Sequence, residues 1–168
     1  MSTTPGTMFK IFKSNPLQTE FKTLQEVQDY LRRLPFVDFG GCGVSSLAMY
    51  RWLKKNKKTN SRTCFYLLSD IFYIHYNNKE YLKKNKNNKQ PTAPGHMVLY
   101  NKGVYFDCHG KCDLNYFKYR LKTDNEQFII DTLNNVPSWN ETFPRKRLIK
   151  KIAKRLKIDL SDVLVNDN

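Results

Sequence analysis

From Gly43 to Lys55 the apolar residues Val44, Leu47, Ala48, Met49, Tyr50, Trp52 and Leu53 cover most of a helical wheel, which predicts a largely buried helix. Upstream, Thr23-Leu-Gln-Glu26 has the Ser/Thr-x-x-Glu pattern in which side chains at a helix start satisfy each other's backbone donors. A helix is expected from Leu24 to about Leu34, stopped by Pro35. Between the two helices lies Phe36-Val-Asp-Phe-Gly-Gly41, a turn-rich approach whose glycines tolerate positive φ. Thr63 to Leu68 reads as a strand, with a helix running on through Tyr76 as the alternative. His96-Met-Val-Leu-Tyr100, then Asn-Lys-Gly, then Val104-Tyr-Phe-Asp107 reads as a β-hairpin. Beyond Gly110 the pattern turns helical again, with Asp124 as N-cap for Glu126 to Asn134 and a last helix opening near Thr142 and Pro144. The fold class is α+β. Residues 1–20 are expected as an irregular arm, 21–143 as the main domain, and 144–168 as a basic helix docked on it.

Composition narrows the class. A chain of 168 residues with 40% hydrophobic and 14% aromatic content has enough apolar mass to fill one core. Its apolar runs fall short of the roughly 20 residues of a membrane span, and the first ten residues lack a signal-peptide core. The expectation is a cytoplasmic protein without a transmembrane segment, whose cysteines Cys42, Cys64, Cys108 and Cys112 stay as free thiols. The formal charge of +14 suits a nucleic-acid partner. Much of that charge sits in the Lys/Asn-rich runs 54–60 and 83–89, which read equally as solvated loops of an AT-rich genome. The polar stretch from Asn77 to Pro94 is expected as a long surface loop, with a turn of helix around Tyr81.

Chemistry concentrates on three residues. Cys42 follows Gly-Gly and opens a helix, where aligned peptide dipoles and unpaired N–H groups stabilise an anion. His96 begins one hairpin strand and Asp107 ends the next, so a tight turn lays their side chains side by side, and the carboxylate fixes the imidazole tautomer. A nucleophile, a proton carrier and an orienting acid are what cysteine acyl transfer requires. The same residues also have plain structural readings: a small buried cysteine, a satisfied strand histidine and a turn-capping aspartate.

Gly41-Cys42-Gly43-Val-Ser-Ser-Leu-Ala48 resembles the helix-borne nucleophile of papain-like and transglutaminase-like cysteine enzymes. Pro94-Gly-His96-Met-Val-Leu-Tyr-Asn-Lys-Gly-Val-Tyr-Phe-Asp107-Cys-His-Gly110 is similar to the histidine strand, turn and Asp of the same enzymes. The resemblance implies a papain-like core, with the Cys-bearing helix packed on a small antiparallel sheet and a Cys42-His96-Asp107 triad. It further implies a thiol hydrolase or acyltransferase acting on an amide, isopeptide or ester of a protein or peptide substrate, with no cofactor. No glutamine stands a few residues before Cys42, so the Cys42 N–H is left as the main oxyanion donor, helped by Asp38 or Gly41. Size and composition also suit a small accessory protein of a phage or other AT-rich genome.

Other residues have competing readings. His75, in an aromatic run, reads as structural, and His109 is a rival to His96 near the site. Cys108-His109-x-x-Cys112 invites a zinc reading, but no second paired motif completes it at zinc-finger spacing, so no metal is expected. The segment from Pro144 to Lys157 sets Leu148, Ile149, Ile152 and Leu156 on one face and cations on the rest. Such a helix docks on its own domain, an acidic protein, an anionic membrane or nucleic acid. In the last case Arg145, Lys146, Arg147, Lys150, Lys151, Lys154 and Arg155 would meet phosphates. A non-catalytic module that grips nucleic acid or an acidic partner is therefore the alternative to the enzyme.

Overall fold

The computed structural model describes residues 19–34, 41–69, 96–107, 110–111, 114, 119–135 and 145–163. The expected loop at 77–94, His75, Cys108, His109, Cys112, Asp38 and the arm up to residue 18 lie outside them.

Helix α1 (Leu24–Arg32) begins at the foreseen capping box. The Thr23 hydroxyl accepts from the Glu26 N–H at 3.2 Å, and the Glu26 carboxylate accepts from the Thr23 N–H at 3.1 Å. The helix buries Leu24, Val27, Gln28 and Leu31. Helix α2 (Cys42–Lys55) is buried on nearly every side down to Met49, then keeps only Trp52 and Leu53 fully inside as its end reaches solvent. Gly41 at its N-cap has φ −83°, so this glycine is not used for the positive φ the sequence had allowed.

Strands β1 (Cys64–Ser69), β2 (His96–Asn101), β3 (Val104–Asp107), β4 (Gly110–Lys111) and β5 (Tyr119–Thr123) form one antiparallel sheet in the order β4-β3-β2-β1-β5. The β2-β3 hairpin turns through Lys102 and Gly103, both at positive φ (49° and 84°), as a two-residue type I′ turn demands. β4 and β5 correct the helical reading of the region after Gly110. β5 pairs along its length with β1 (Phe65 opposite Thr123, Leu67 opposite Leu121), and that long-range ladder overrides local propensity.

Helix α3 (Glu126–Asn135) is capped by Asn125 rather than Asp124: the Asn125 Oδ1 accepts from the Phe128 N–H at 3.1 Å. Helix α4 (Arg145–Leu156) buries Leu148, Ile149, Ile152 and Leu156. These residues join one core with Val27 and Leu31 of α1, Leu47 and Trp52 of α2, Ile129 of α3, and Phe65, Leu67, Met97, Leu99 and Phe106 of the sheet. The helices thus share one face of the sheet. Strand alternation turns Tyr66, Val98, Tyr100 and Tyr105 to the other face. There the three tyrosine rings contact one another at centroid distances of 5.0 to 6.3 Å.

An ionic clamp ties α2 to α3 and to the segment after α4. Arg51 donates to Glu126 at 2.8 Å and, with two nitrogens, to both Asp162 oxygens at 2.6 and 2.5 Å, while Lys54 reaches Glu126 at 2.9 Å. Burial alone would raise the Glu126 carboxyl, but the hydrogen bonds from Arg51 and Lys54 outweigh it and hold the group below its ordinary value. The Arg51 hydrogen bonds do the same for Asp162. A carboxylate depressed in the fold contributes stability above its unfolded value, near 4, and that contribution is lost as pH falls through the lower folded value. The urea midpoint is therefore expected to drop between about pH 5 and 3, less steeply in Arg51→Gln. Equal slopes for both proteins would remove the clamp from the account.

Candidate active site

Cys42 is the first residue of α2, and its side chain is buried with the whole residue 6% exposed. The first-turn N–H groups of a helix have no intrahelical acceptor, so they point past Cys42 as fixed donors. One turn further on, the Ser46 hydroxyl donates to the backbone carbonyl of Met97 at 3.2 Å. Residues four apart share a helix face, so this bond seats the Cys42 end of α2 against the beginning of β2, where His96 adjoins Met97.

His96 and Asp107 are in direct contact, Nε2 to Oδ2, at 2.9 Å. Both are buried, with side chains 10% and 5% exposed. The register explains the pairing. Leu99 lies opposite Phe106, so the next pair outward sets Asp107 beside Val98, and His96, two residues along the same face, reaches it diagonally. When the Nε2–H donates to the carboxylate, the lone pair sits on Nδ1, which becomes the basic nitrogen of the ring.

The end of β3 is held from α1. The Gln28 side chain, buried, donates from Nε2 to the Asp107 carbonyl at 2.9 Å and accepts from Gln25 at 2.9 Å. Gln28 is not among the residues expected at the site. The signal was a glutamine within the stripe of Leu24, Val27 and Leu31, a polar group at a core position that needs a partner. Gln28→Leu leaves the Asp107 carbonyl without this donor and is expected to cost about 1–3 kcal/mol in urea unfolding. A cost no larger than that of a surface substitution would show the bond to be dispensable.

The remaining expected site residues fall as follows. Gly41 is buried at the N-cap of α2 beside Cys42, and its carbonyl accepts from the Ser45 N–H at 2.9 Å. Cys64 on β1 is a free, buried thiol on the same sheet face as Tyr66, and burial pushes its ionisation up. Among the described residues no group of three His, Cys, Asp or Glu side chains is gathered as a metal site. Of the basic residues of α4, Lys146, Arg147, Lys150, Lys151 and Lys154 are exposed. Arg155 instead lies 3.9 Å over the Phe21 ring and donates to the Thr19 carbonyl, spending its charge within the fold. The Arg145 side chain lies outside the described residues.

Among the described residues no helix is long and apolar enough to cross a membrane. Comparison with protein-family models, curated proteins and solved structures gave no match.

Proposed function

We propose that this chain is a thiol-dependent acyl-transfer enzyme with a core of the papain-like or transglutaminase-like kind, in which Cys42 is the nucleophile, His96 the proton carrier and Asp107 the orienting acid. The observation that carries the reading is the buried 2.9 Å contact between Asp107 and His96, the latter on the strand whose Met97 carbonyl accepts from Ser46, one turn along α2 from Cys42. A buried imidazole–carboxylate pair and a thiol at a helix start are the three groups that cysteine acyl transfer uses, which supports the reading.

The Cys42 thiol gives its proton to His96 Nδ1, and the sulfur attacks the substrate carbonyl carbon as the C=O π electrons move to oxygen. That oxyanion lies against the N–H groups of the first turn of α2. As the carbonyl re-forms, the C–N or C–O bond breaks and the imidazolium protonates the departing amine or alcohol. Water or an amine then attacks the thioester, His96 takes its proton, and the returning thiolate recovers it. Because Met97 and Leu99 face the helices, alternation turns His96 to the other side. In the proposed reaction the sulfur therefore approaches the ring around the end of β2 rather than across the sheet.

A panel of peptide vinyl sulfones, with adducts mapped by mass spectrometry, tests this reading. Adducts on Cys42, absent in Cys42→Ala and slow to form in His96→Ala, are expected. Adducts confined to other cysteines, or none on the folded protein, would contradict it.

A further inference from the structure

Helix α4 is built from two opposed faces. At about 100° per residue, Leu148, Ile149, Ile152 and Leu156 gather on one side, and all four are buried in the common core. Arg147, Lys150, Lys151 and Lys154 gather on the opposite side, and all four are exposed. The helix contains no acidic residue, so nothing within it neutralises this row. The Glu20 carboxylate, which accompanies the C-terminal end of α4, is engaged by Lys157 at 2.6 Å. Successive turns set the cations about 5.4 Å apart along a straight, rigid support.

We infer that the exposed row Arg147, Lys150, Lys151 and Lys154 is a docking surface for the phosphodiester backbone of a nucleic acid, independent of the thiol chemistry. Two features of the fold select this partner. A membrane-surface helix holds by sinking its apolar face among acyl chains, and here that face is fully committed to the protein core. A protein partner is gripped mainly by apolar or aromatic anchors, yet among the described residues the only large exposed hydrophobic side chain is Val104, on β3 rather than on α4. What α4 offers is charge alone at regular spacing, and this matches a backbone bound through phosphate neutralisation and counterion release. The +14 charge of the chain adds long-range attraction.

Fluorescence anisotropy with a labelled 20-base-pair DNA duplex and an RNA strand of equal length, titrated from 50 to 250 mM salt, reads the surface directly. If all four cations meet phosphates, their share of the slope of log K against log salt is roughly 3 to 4, and each Lys→Ala or Arg→Ala change lowers the slope by about 1 with little dependence on base sequence. The quadruple variant R147A/K150A/K151A/K154A is expected to lose this share while keeping its circular dichroism spectrum and Cys42 labelling rate. No binding at 50 mM salt would overturn the inference. So would a slope unchanged in the quadruple variant, which assigns binding to other lysines, or capture by anionic vesicles in preference to both nucleic acids.

Discussion

Asp107→Ala is expected to slow reaction of Cys42 with a peptide vinyl sulfone at neutral pH by roughly a hundred- to ten-thousand-fold, the scale on which Ser-His-Asp triads respond to loss of their acid. The carboxylate is the 2.9 Å partner of His96, and the pair is buried. Without it, the ring keeps neither the tautomer that leaves Nδ1 basic nor a counter-charge for the imidazolium. Asp107→Asn distinguishes chemistry from packing. It conserves shape but cannot accept as a carboxylate, so it should lose most of the rate while retaining most of the stability. Near-normal reactivity in both variants would reduce His96 and Asp107 to a structural pair.

Ile152→Ala is expected to destabilise the protein by about 2–5 kcal/mol, a large part of the 5–15 kcal/mol by which domains of this kind are stable. Ile152 is fully buried where α4 meets the core, alongside Leu148, Ile149 and Leu156. Arg155 over Phe21 and the Lys157–Glu20 ion pair fasten the same end of α4 at the surface, where such contacts contribute little. Lys151→Ala, on the opposite face, should shift stability by no more than about 0.5 kcal/mol. Urea unfolding of the full chain decides the matter. If Ile152→Ala costs no more than Lys151→Ala, α4 is an appendage and not part of the core.

Legibility of the fold in the sequence followed the range of the interactions. The start of α1 was readable because Thr23 and Glu26 satisfy each other within one turn. The β2-β3 hairpin was readable because Lys102-Gly103 closes it locally. The α3 cap was misplaced by one residue, since Asp124 and Asn125 are both competent and only the backbone path decides between them. β5 was missed because Tyr119 to Thr123 becomes a strand through pairing with β1, 50 or more residues earlier in the chain. The candidate site divides in the same way. His96 and Asp107 share a hairpin, so their contact could be foreseen, whereas Gln28 to Asp107 and Ser46 to Met97 join elements distant in sequence and carry no local mark.

In the proposed reaction Cys42 works as a thiolate supported by His96. Iodoacetamide alkylation of the folded protein between pH 5 and 9, mapped cysteine by cysteine, tests it most directly. Cys64, buried and with its ionisation pushed up, serves as the slow internal reference. Cys42 is expected to react rapidly, at a rate that persists below pH 7. His96→Ala should lower the rate at pH 6 by about tenfold or more, as when a thiolate–imidazolium pair is replaced by an ordinary thiol. Alkylation of Cys42 no faster than a free thiol, or a pH profile that His96→Ala leaves unchanged, would contradict the proposal.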